Sequence, residues 1–245
     1  IGDANDINTA KDGARYTNFE GVRVVASQDV SLVSGIASIL ADGDSIALSG
    51  LNATNAVGIT ARDNAGDDAV NALSLAFKTA TGTSDVASVT AADKTSTQNV
   101  SLTDLDVDNI ETVNLAFTTG TAGTASALDF AANKADEVKA LNISGSADVH
   151  LTVEANVLDV TAVTIDASAS TGKFEISDSS GALKIGSKVI ATAQADTIDA
   201  TDTGVTYEGG AGKDAFTTAA ATILANGVND TVLDGGSGVD TLTIS

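Results

Sequence analysis

The sequence predicts an all-β protein, an elongated parallel β-solenoid in which short strands alternate with tight turns. Three observations predict this class. Small and β-compatible residues dominate the 245-residue chain, while aromatic residues make up 3% and proline is absent. Short runs of alternating apolar and polar residues recur along the chain, as half-buried strands require. Two glycine-rich, aspartate-containing nonapeptides near the C-terminus have the period of stacked β-turns.

Three related strand units mark the first part of the chain, at residues 19–24, 110–115 and 136–143. The first two have the form apolar-Glu-x-Val-x-apolar, and the third is a weaker copy. Side chains that alternate in this way place one apolar row toward a core and one polar row toward solvent. Self-similarity at an irregular period is typical of a solenoid that carries insertions.

Other segments are less regular than these units. Further strands are predicted at residues 45–48, 56–60, 160–168 and 174–177. The segment 61–100 alternates but matches no repeat, which predicts exposed hairpins or an inserted sheet there. Short helices without strong caps are candidates at residues 33–40, 125–135 and 217–224.

The most specific motif is the pair of nonapeptides, GGAGKDAFT at residues 209–217 and GGSGVDTLT at residues 235–243. Both fit G-G-x-G-x-D-x-U-x, where U is a large apolar residue. Glycine permits the positive φ of a tight turn, and the aspartate adds a hard anionic oxygen beside the backbone carbonyl groups. Stacked turns of this kind bind calcium between successive coils of a parallel β-roll. The motif therefore predicts Ca²⁺ as the cofactor.

Spacing predicts which turns share an edge of the roll. Turns on one edge recur at about 18 residues, so Asp196, Asp214 and, after a short deletion, Asp230 are predicted to line one calcium-bearing edge. Asp240 is predicted on the opposite edge, in a turn whose partner lies beyond Ser245. One well-formed ion is expected near Asp214. The candidate metal residues are Asp196, Gly210, Gly212, Asp214, Asp230, Gly236, Gly238 and Asp240.

Charge and composition exclude several classes of protein. The net charge of −21 argues against binding to nucleic acid or anionic lipid, because affinity for both depends on Lys and Arg. Such a charge favours an extracellular protein bathed in divalent cations that screen its self-repulsion. The absence of cysteine excludes disulfides, thiol catalysis and zinc fingers. No long apolar run is present, so no membrane insertion is expected.

Nothing in the motif content predicts an enzyme. The one histidine, His150, lies in an alternating strand without a second base. Serine and threonine are abundant, but no G-x-S-x-G elbow accompanies them. The acidic clusters at residues 63–68 and 104–108 are either solvated surface or weak calcium-binding sites. Neither has the spacing of an EF-hand loop, which would predict tight binding.

The nonapeptides resemble the RTX calcium-binding repeats of secreted bacterial proteins. The succession IETVNL, LNISGSADVHLTV and VTAVTIDASASTGKFEIS, which leads through ADTIDA into GGAGKD, resembles the strand-repeat region of bacterial S-layer proteins of Caulobacter and Campylobacter type. That resemblance implies type I secretion to the cell surface and a calcium-held lattice. It also implies other copies of the chain, and a cell-surface polysaccharide, as partners. Two departures are the small number of full nonapeptides and the unmatched segment 61–100.

The sequence therefore divides into a strand-repeat solenoid region at residues 1–190 and an RTX-like, calcium-binding β-roll segment at residues 191–245. The expected function is that of a structural component of a secreted cell-surface layer, assembled and stabilised by calcium. Two alternatives stay open: a calcium-rigidified spacer or binding module of a large type I-secreted adhesin, and the non-catalytic RTX portion of a secreted hydrolase. The two ends of the chain also suggest one unit of a tandem array.

Overall fold

The computed structural model describes residues 16–63, 69–70, 72–79, 82–93, 99–118, 124–155, 157–179, 181–223 and 230–245. These residues form 23 strands, a 3-10 helix at Val30–Leu32 and a short helix α1 at Ala220–Ile223. The first twelve strands are β1 (Gly21–Val24), β2 (Gln28–Asp29), β3 (Ser38–Asp42), β4 (Ser45–Leu51), β5 (Ile59–Arg62), β6 (Ala69–Val70), β7 (Ala72–Phe77), β8 (Val86–Ala92), β9 (Ser101–Asp106), β10 (Thr112–Phe117), β11 (Ala125–Phe130) and β12 (Ala140–Gly145). The others are β13 (Asp148–Val153), β14 (Thr164–Ser170), β15 (Phe174–Asp178), β16 (Lys188–Ile190), β17 (Thr197–Ala200), β18 (Thr206–Glu208), β19 (Ala211–Gly212), β20 (Ala215–Thr218), β21 (Val232–Asp234), β22 (Ser237–Gly238) and β23 (Thr241–Ile244).

The strands alternate between two parallel sheets. Sheet A has the order β1-β3-β5-β8-β10-β12-β14-β16-β18-β21, and sheet B has the order β2-β4-β7-β9-β11-β13-β15-β17-β20-β23. Strand β6 pairs with β9 beside the path of sheet B, and β19 pairs with β22 in a separate small sheet. Within the described residues, ten coils are therefore stacked, each with one strand in sheet A and one in sheet B. The predicted all-β parallel solenoid is confirmed.

Alternation of side chains explains why these sequences form a two-sheet stack. In β10, Val113, Leu115 and Phe117 are buried, and the intervening side chains are only partly covered. Strand β11 of the same coil buries Leu128 and Phe130 from the facing sheet. Buried apolar residues from the first nine coils join into one continuous core between the sheets, and Leu233 of the last described coil packs against it partly buried. Removal of these side chains from water is the main force that holds the coils together.

The described residues of the segment 61–100 do not form an inserted sheet or exposed hairpins. Its strands β7 and β8 occupy ordinary places in sheets B and A, and both pair in parallel with their neighbours. Leu73 and Leu75 of β7 and Val89 of β8 are buried in the common core.

The helix candidates are also not helical over most of their described residues. Ser38–Asp42 and Ala125–Phe130 form strands β3 and β11, and of the third candidate only Ala220–Ile223 is helical. Their small residues suit either structure, and pairing with neighbouring coils decides between the two. Among the described residues, no helix has the length and apolar character needed to cross a bilayer. Both sheets continue across residue 190, and the division there stays a prediction.

Candidate metal centre

Three turns that lead from sheet A to sheet B stack directly on one another at the C-terminal end of the solenoid. They cover residues 191–196, 209–214 and 235–240. The strands that follow them are in register, with Thr197 paired to Ala215 and Ala215 paired to Thr241. Each of these residues comes directly after an aspartate. The turns therefore align Asp196, Asp214 and Asp240 in one file, called here the Asp column.

Each carboxylate of the Asp column accepts a hydrogen bond from the coil before it. The backbone N–H of Phe174 donates to Asp196 Oδ1 at 2.7 Å, and the N–H of Asp196 donates to Asp214 Oδ1 at 2.9 Å. The N–H of Asp214 donates in turn to Asp240 Oδ1 at 3.0 Å. Buried N–H groups at the start of a strand need such acceptors. The aspartates thus have a structural role that requires no metal.

The prediction was right about one pair in the column and wrong about the third position. Asp196 and Asp214 share an edge at a separation of 18 residues. Asp240 was predicted on the opposite edge, yet it lies in the same column, 26 residues after Asp214. The extra length falls between β20 and β21, where α1 lies. Asp230 was predicted in the column, but it stands just before β21, in the turn from sheet B to sheet A at the opposite edge.

The turn with Gly236 and Gly238 has a partner within the chain, contrary to the prediction. Its strand β22 pairs with β19 of the preceding turn, and Gly238 is opposite Gly212. Nine-residue counting missed this partner because it assumes coils of constant length. Direct alignment of the two nonapeptides would have found it, since equivalent positions of the two motifs pair with each other.

The four candidate glycines bring backbone carbonyl groups together. All have positive φ: +91° at Gly210, +138° at Gly212, +79° at Gly236 and +144° at Gly238. A Cβ atom at Gly210 or Gly212 would overlap the carbonyl oxygen of Thr192 or Gln194. At Gly236 or Gly238 it would overlap the carbonyl oxygen of Gly210 or Gly212. Only glycine lets the turns approach closely enough to direct the carbonyl oxygens of one turn at the next.

Asp214 carries a buried carboxylate oxygen without a hydrogen-bond partner. Its side chain is 1% exposed, and Oδ2 accepts no hydrogen bond. A Cβ atom built on Gly209 would lie 2.6 Å from this Oδ2 and 2.9 Å from the carbonyl oxygen of Gly235. Both oxygens therefore adjoin the space that the missing side chain of Gly209 leaves open. Burial, and then the charge of Asp240, raise the pKa of Asp214 against the hydrogen bond from Asp196. An unpaired buried anion is costly, and a cation beside it offsets that cost.

Asp196 differs from Asp214 although it occupies the same position in its turn. The Thr192 N–H donates to Asp196 Oδ2 at 2.8 Å, and the Thr192 hydroxyl lies 3.0 Å from Oδ1 and 2.9 Å from Oδ2. Thr192 stands where the two later turns have Gly210 and Gly236. Burial raises the pKa of Asp196, but both of its oxygens have partners. In the 191–196 turn, the hydroxyl group of Thr192 therefore supplies the hydrogen-bond partner that Asp214 Oδ2 lacks in the next turn.

The donor set beside Asp214 fits a hard divalent cation. Among the described residues, no three acidic or imidazole side chains converge on one point. A cation would thus take most of its ligands from backbone carbonyl groups, with Asp214 and the Gly235 carbonyl as its nearest oxygens. Carboxylate and carbonyl oxygens are the ligands that calcium accepts. Asp240, which is only partly covered, borders the same pair of turns.

Where the structure describes them, the other polar groups singled out in the sequence form no comparable site. Lys134 Nζ lies 3.8 Å from Asp106 Oδ2 and 3.5 Å from Asp108 Oδ2, so it neutralises part of the 104–108 cluster. Asp67 and Asp68 lie outside the described residues. His150 Nε2 lies 2.8 Å from Ser177 Oγ and 4.0 Å from Glu175 Oε1. Because both contacts use one ring nitrogen, these three residues do not form a Ser-His-acid relay.

Comparison of this chain with protein-family models, with curated proteins and with solved structures finds no match. The resemblance to RTX repeats therefore depends on the quoted motifs alone.

Proposed function

We propose that this protein is a structural component of a secreted bacterial cell-surface layer, and that calcium beside Asp214 fixes its last coils. The observation that carries the proposal is the buried, unpartnered Oδ2 of Asp214, which lies near the backbone carbonyl oxygen of Gly235 in the next glycine turn. The net charge of −21 supports the extracellular setting, where divalent cations are abundant. The chain's resemblance to RTX repeats and to S-layer strand repeats supports the same setting.

Bound calcium would supply positive charge to Asp214 Oδ2 and to the carbonyl oxygens of two successive turns. Without it, the Asp214 and Asp240 carboxylates repel each other, and the glycines keep a large conformational entropy in the unfolded chain. A ligand that binds only the folded state adds its binding free energy to stability. The C-terminal coils would thus be loose where free calcium is scarce, as inside a cell, and become ordered outside it.

Calcium is expected to raise the melting temperature of the 245-residue chain, and Asp214→Asn is expected to abolish most of that rise. At a calcium concentration of about 100 Kd the gain is about 2.7 kcal/mol, or roughly 5–10 °C for a chain of this size. Circular dichroism melting curves with calcium or with chelator measure it. Asp159→Asn is the matched control, because it removes one charge on a distant coil.

Asp196→Asn separates the metal role from the structural role. It weakens the acceptors of the Phe174 and Thr192 N–H groups, so it should lower the melting temperature equally with and without calcium. If the melting temperature of the wild-type chain is the same with calcium and with chelator, the calcium proposal is contradicted. Equal calcium responses from Asp214→Asn and Asp159→Asn would contradict the assignment to Asp214.

Lateral assembly distinguishes the surface-layer proposal from its main alternative. Calcium is expected to drive the purified chain into large ordered particles, which light scattering and electron microscopy detect. Asp214→Asn should shift particle growth to higher calcium concentrations, because the ordered C-terminal coils form less readily. A calcium-stabilised chain that stays monomeric would overturn the lattice role.

The alternative is a calcium-rigidified spacer of a large secreted adhesin. The uninterrupted linear stack of coils favours this second candidate, because each coil contacts only its neighbours and the stack spans distance without lateral partners. Monomeric, calcium-stabilised behaviour in the assembly experiment is the result that this candidate expects.

A further inference from the structure

Two buried carboxyl groups, those of Asp178 and Asp202, meet inside the solenoid at the edge opposite the Asp column. Asp178 is the last residue of β15 and is 8% exposed, and Asp202 lies in the turn after β17 and is 3% exposed. The Asp202 carboxylate accepts from N–H groups of the turn that directly follows Asp178, which places the two carboxyl groups near each other, and the charge of Asp202 raises the pKa of Asp178. Two ionised carboxylates in contact within a core repel strongly, so such a pair retains a proton.

The neighbours of Asp178 connect the two sheets. The Tyr207 hydroxyl donates to Asp178 Oδ2 at 2.7 Å, and the Thr201 hydroxyl donates to Asp178 Oδ1 at 3.2 Å. Tyr207 is fully buried and comes from β18 of sheet A, whereas Asp178 belongs to sheet B. The hydrogen bond from Tyr207 therefore crosses the core.

The neighbours of Asp202 hold its carboxyl group in place beside Asp178. The backbone N–H groups of Gly181 and Leu183 donate to its two oxygens, Oδ1 and Oδ2. Two N–H donors favour the ionised form of a carboxyl group. The Tyr207 hydroxyl keeps its own proton, because burial and then Asp178 raise the pKa of Tyr207. Because burial raises the pKa of Asp178, the proton of the pair is placed on Asp178.

We propose that Asp178 and Asp202 form a proton-dependent latch, in which the Asp178 carboxyl O–H donates to the Asp202 carboxylate and holds two successive coils together at the edge opposite the Asp column. This inference is independent of calcium and of the surface-layer role. When Asp178 loses its proton, two carboxylates face each other in the core, and the coils from β15 to β18 lose stability.

The titration of Asp178 sets the direction and range of the pH response. Burial, followed by the charge of Asp202, raises the pKa of Asp178 to about 7, against the hydrogen bonds from Tyr207 and Thr201. The ordinary value is 3.8. Because the folded pKa is the higher one, the stabilisation is complete below about 4 and is lost as pH rises to about 7. The titratable groups that face Asp178 are Tyr207 and Asp202, while Val153, its pair on β13, is apolar.

Asp178→Asn isolates this contribution from that of other carboxyl groups. Asparagine resembles the protonated acid, since its oxygen can take the place of Oδ2 and accept from Tyr207, while its NH2 group is a donor for Asp202. Melting temperatures of wild type and variant in chelator, from about pH 5 to about pH 8, are compared. We expect the variant to gain roughly 5–10 °C on wild type over this range. Asp199→Asn, which removes an outward charge nearby, should follow wild type.

Two further measurements keep the latch testable whatever the stability of the asparagine variant. Carbon-13 NMR titration of the wild-type Asp178 carboxyl should have a midpoint near the raised value. Tyr207→Phe removes a donor that stabilises the Asp178 anion, so it should move that midpoint to higher pH. A wild-type midpoint near the ordinary aspartate value, or a pH-independent gap between Asp178→Asn and wild type, would overturn the proposal.

Discussion

Replacement of Gly212 by alanine is expected to lower the free energy of unfolding by about 2–5 kcal/mol. Gly212 has φ of +138°, where a side chain is strained, and the added Cβ would overlap the carbonyl oxygen of Gln194 in the turn below. That oxygen belongs to the backbone of a stacked turn and cannot rotate away as a side chain would. The turns would have to separate, which would also weaken the hydrogen bonds between β17 and β20.

Gly181→Ala is the matched control for this substitution. Gly181 also has positive φ, +84°, but a Cβ built there meets nothing within 4 Å. It should therefore show only the backbone strain, about 1 kcal/mol. Urea denaturation of both variants measures the difference. Equal losses from the two substitutions would indicate that the turns are not closely stacked at Gly212.

Leu141→Ala is expected to cost about 2–5 kcal/mol, and Leu242→Ala clearly less. Both leucines belong to alternating strands, but Leu141 of β12 is fully buried between β10 and β14. Leu242 of β23 is 50% exposed, because that strand pairs on one side only, with β20. A coil within a solenoid stabilises two interfaces, whereas the last described coil stabilises one.

Denaturant unfolding of the two leucine variants measures this difference at a fixed, low protein concentration. If Leu242→Ala costs as much as Leu141→Ala, the exposed side of β23 is covered in solution. A dependence of the Leu242→Ala loss on protein concentration would then identify association between chains as the cause.

The sequence predicted the parts of the fold that depend on neighbouring residues. Alternation in residues 110–115 correctly predicted strand β10, because an inward and an outward row require it. The 18-residue separation correctly placed Asp214 beside Asp196. Both predictions depend on short, regular spacing, which is a property of the chain itself.

Turn lengths and cross-core partners could not be predicted in this way. Sheet pairing fixes the strands, but a turn at the edge can lengthen freely, as between β20 and β21, so a constant period failed at Asp230 and Asp240. The contact between Tyr207 and Asp178 spans 29 residues, and nothing distinguishes Asp178 among 33 acidic residues before the coils are stacked. Likewise, nothing in the sequence distinguishes Thr192, whose hydroxyl group bonds the Asp196 carboxylate in place of a cation, from the other threonines.

The Asp column also gives the stack a polarity. Each carboxylate in it reaches back to the N–H group of the preceding coil, so a coil is completed only by the one that follows it. If this part of the solenoid folds from its N-terminal side, each added coil brings the carboxylate that accepts from the N–H group of the coil before it. If it folds from its C-terminal side, each added coil brings the N–H group, and the carboxylate acceptor is already in place. The two ends of the growing stack are therefore chemically distinct, because one presents an N–H donor without its acceptor and the other presents a carboxylate acceptor without its donor.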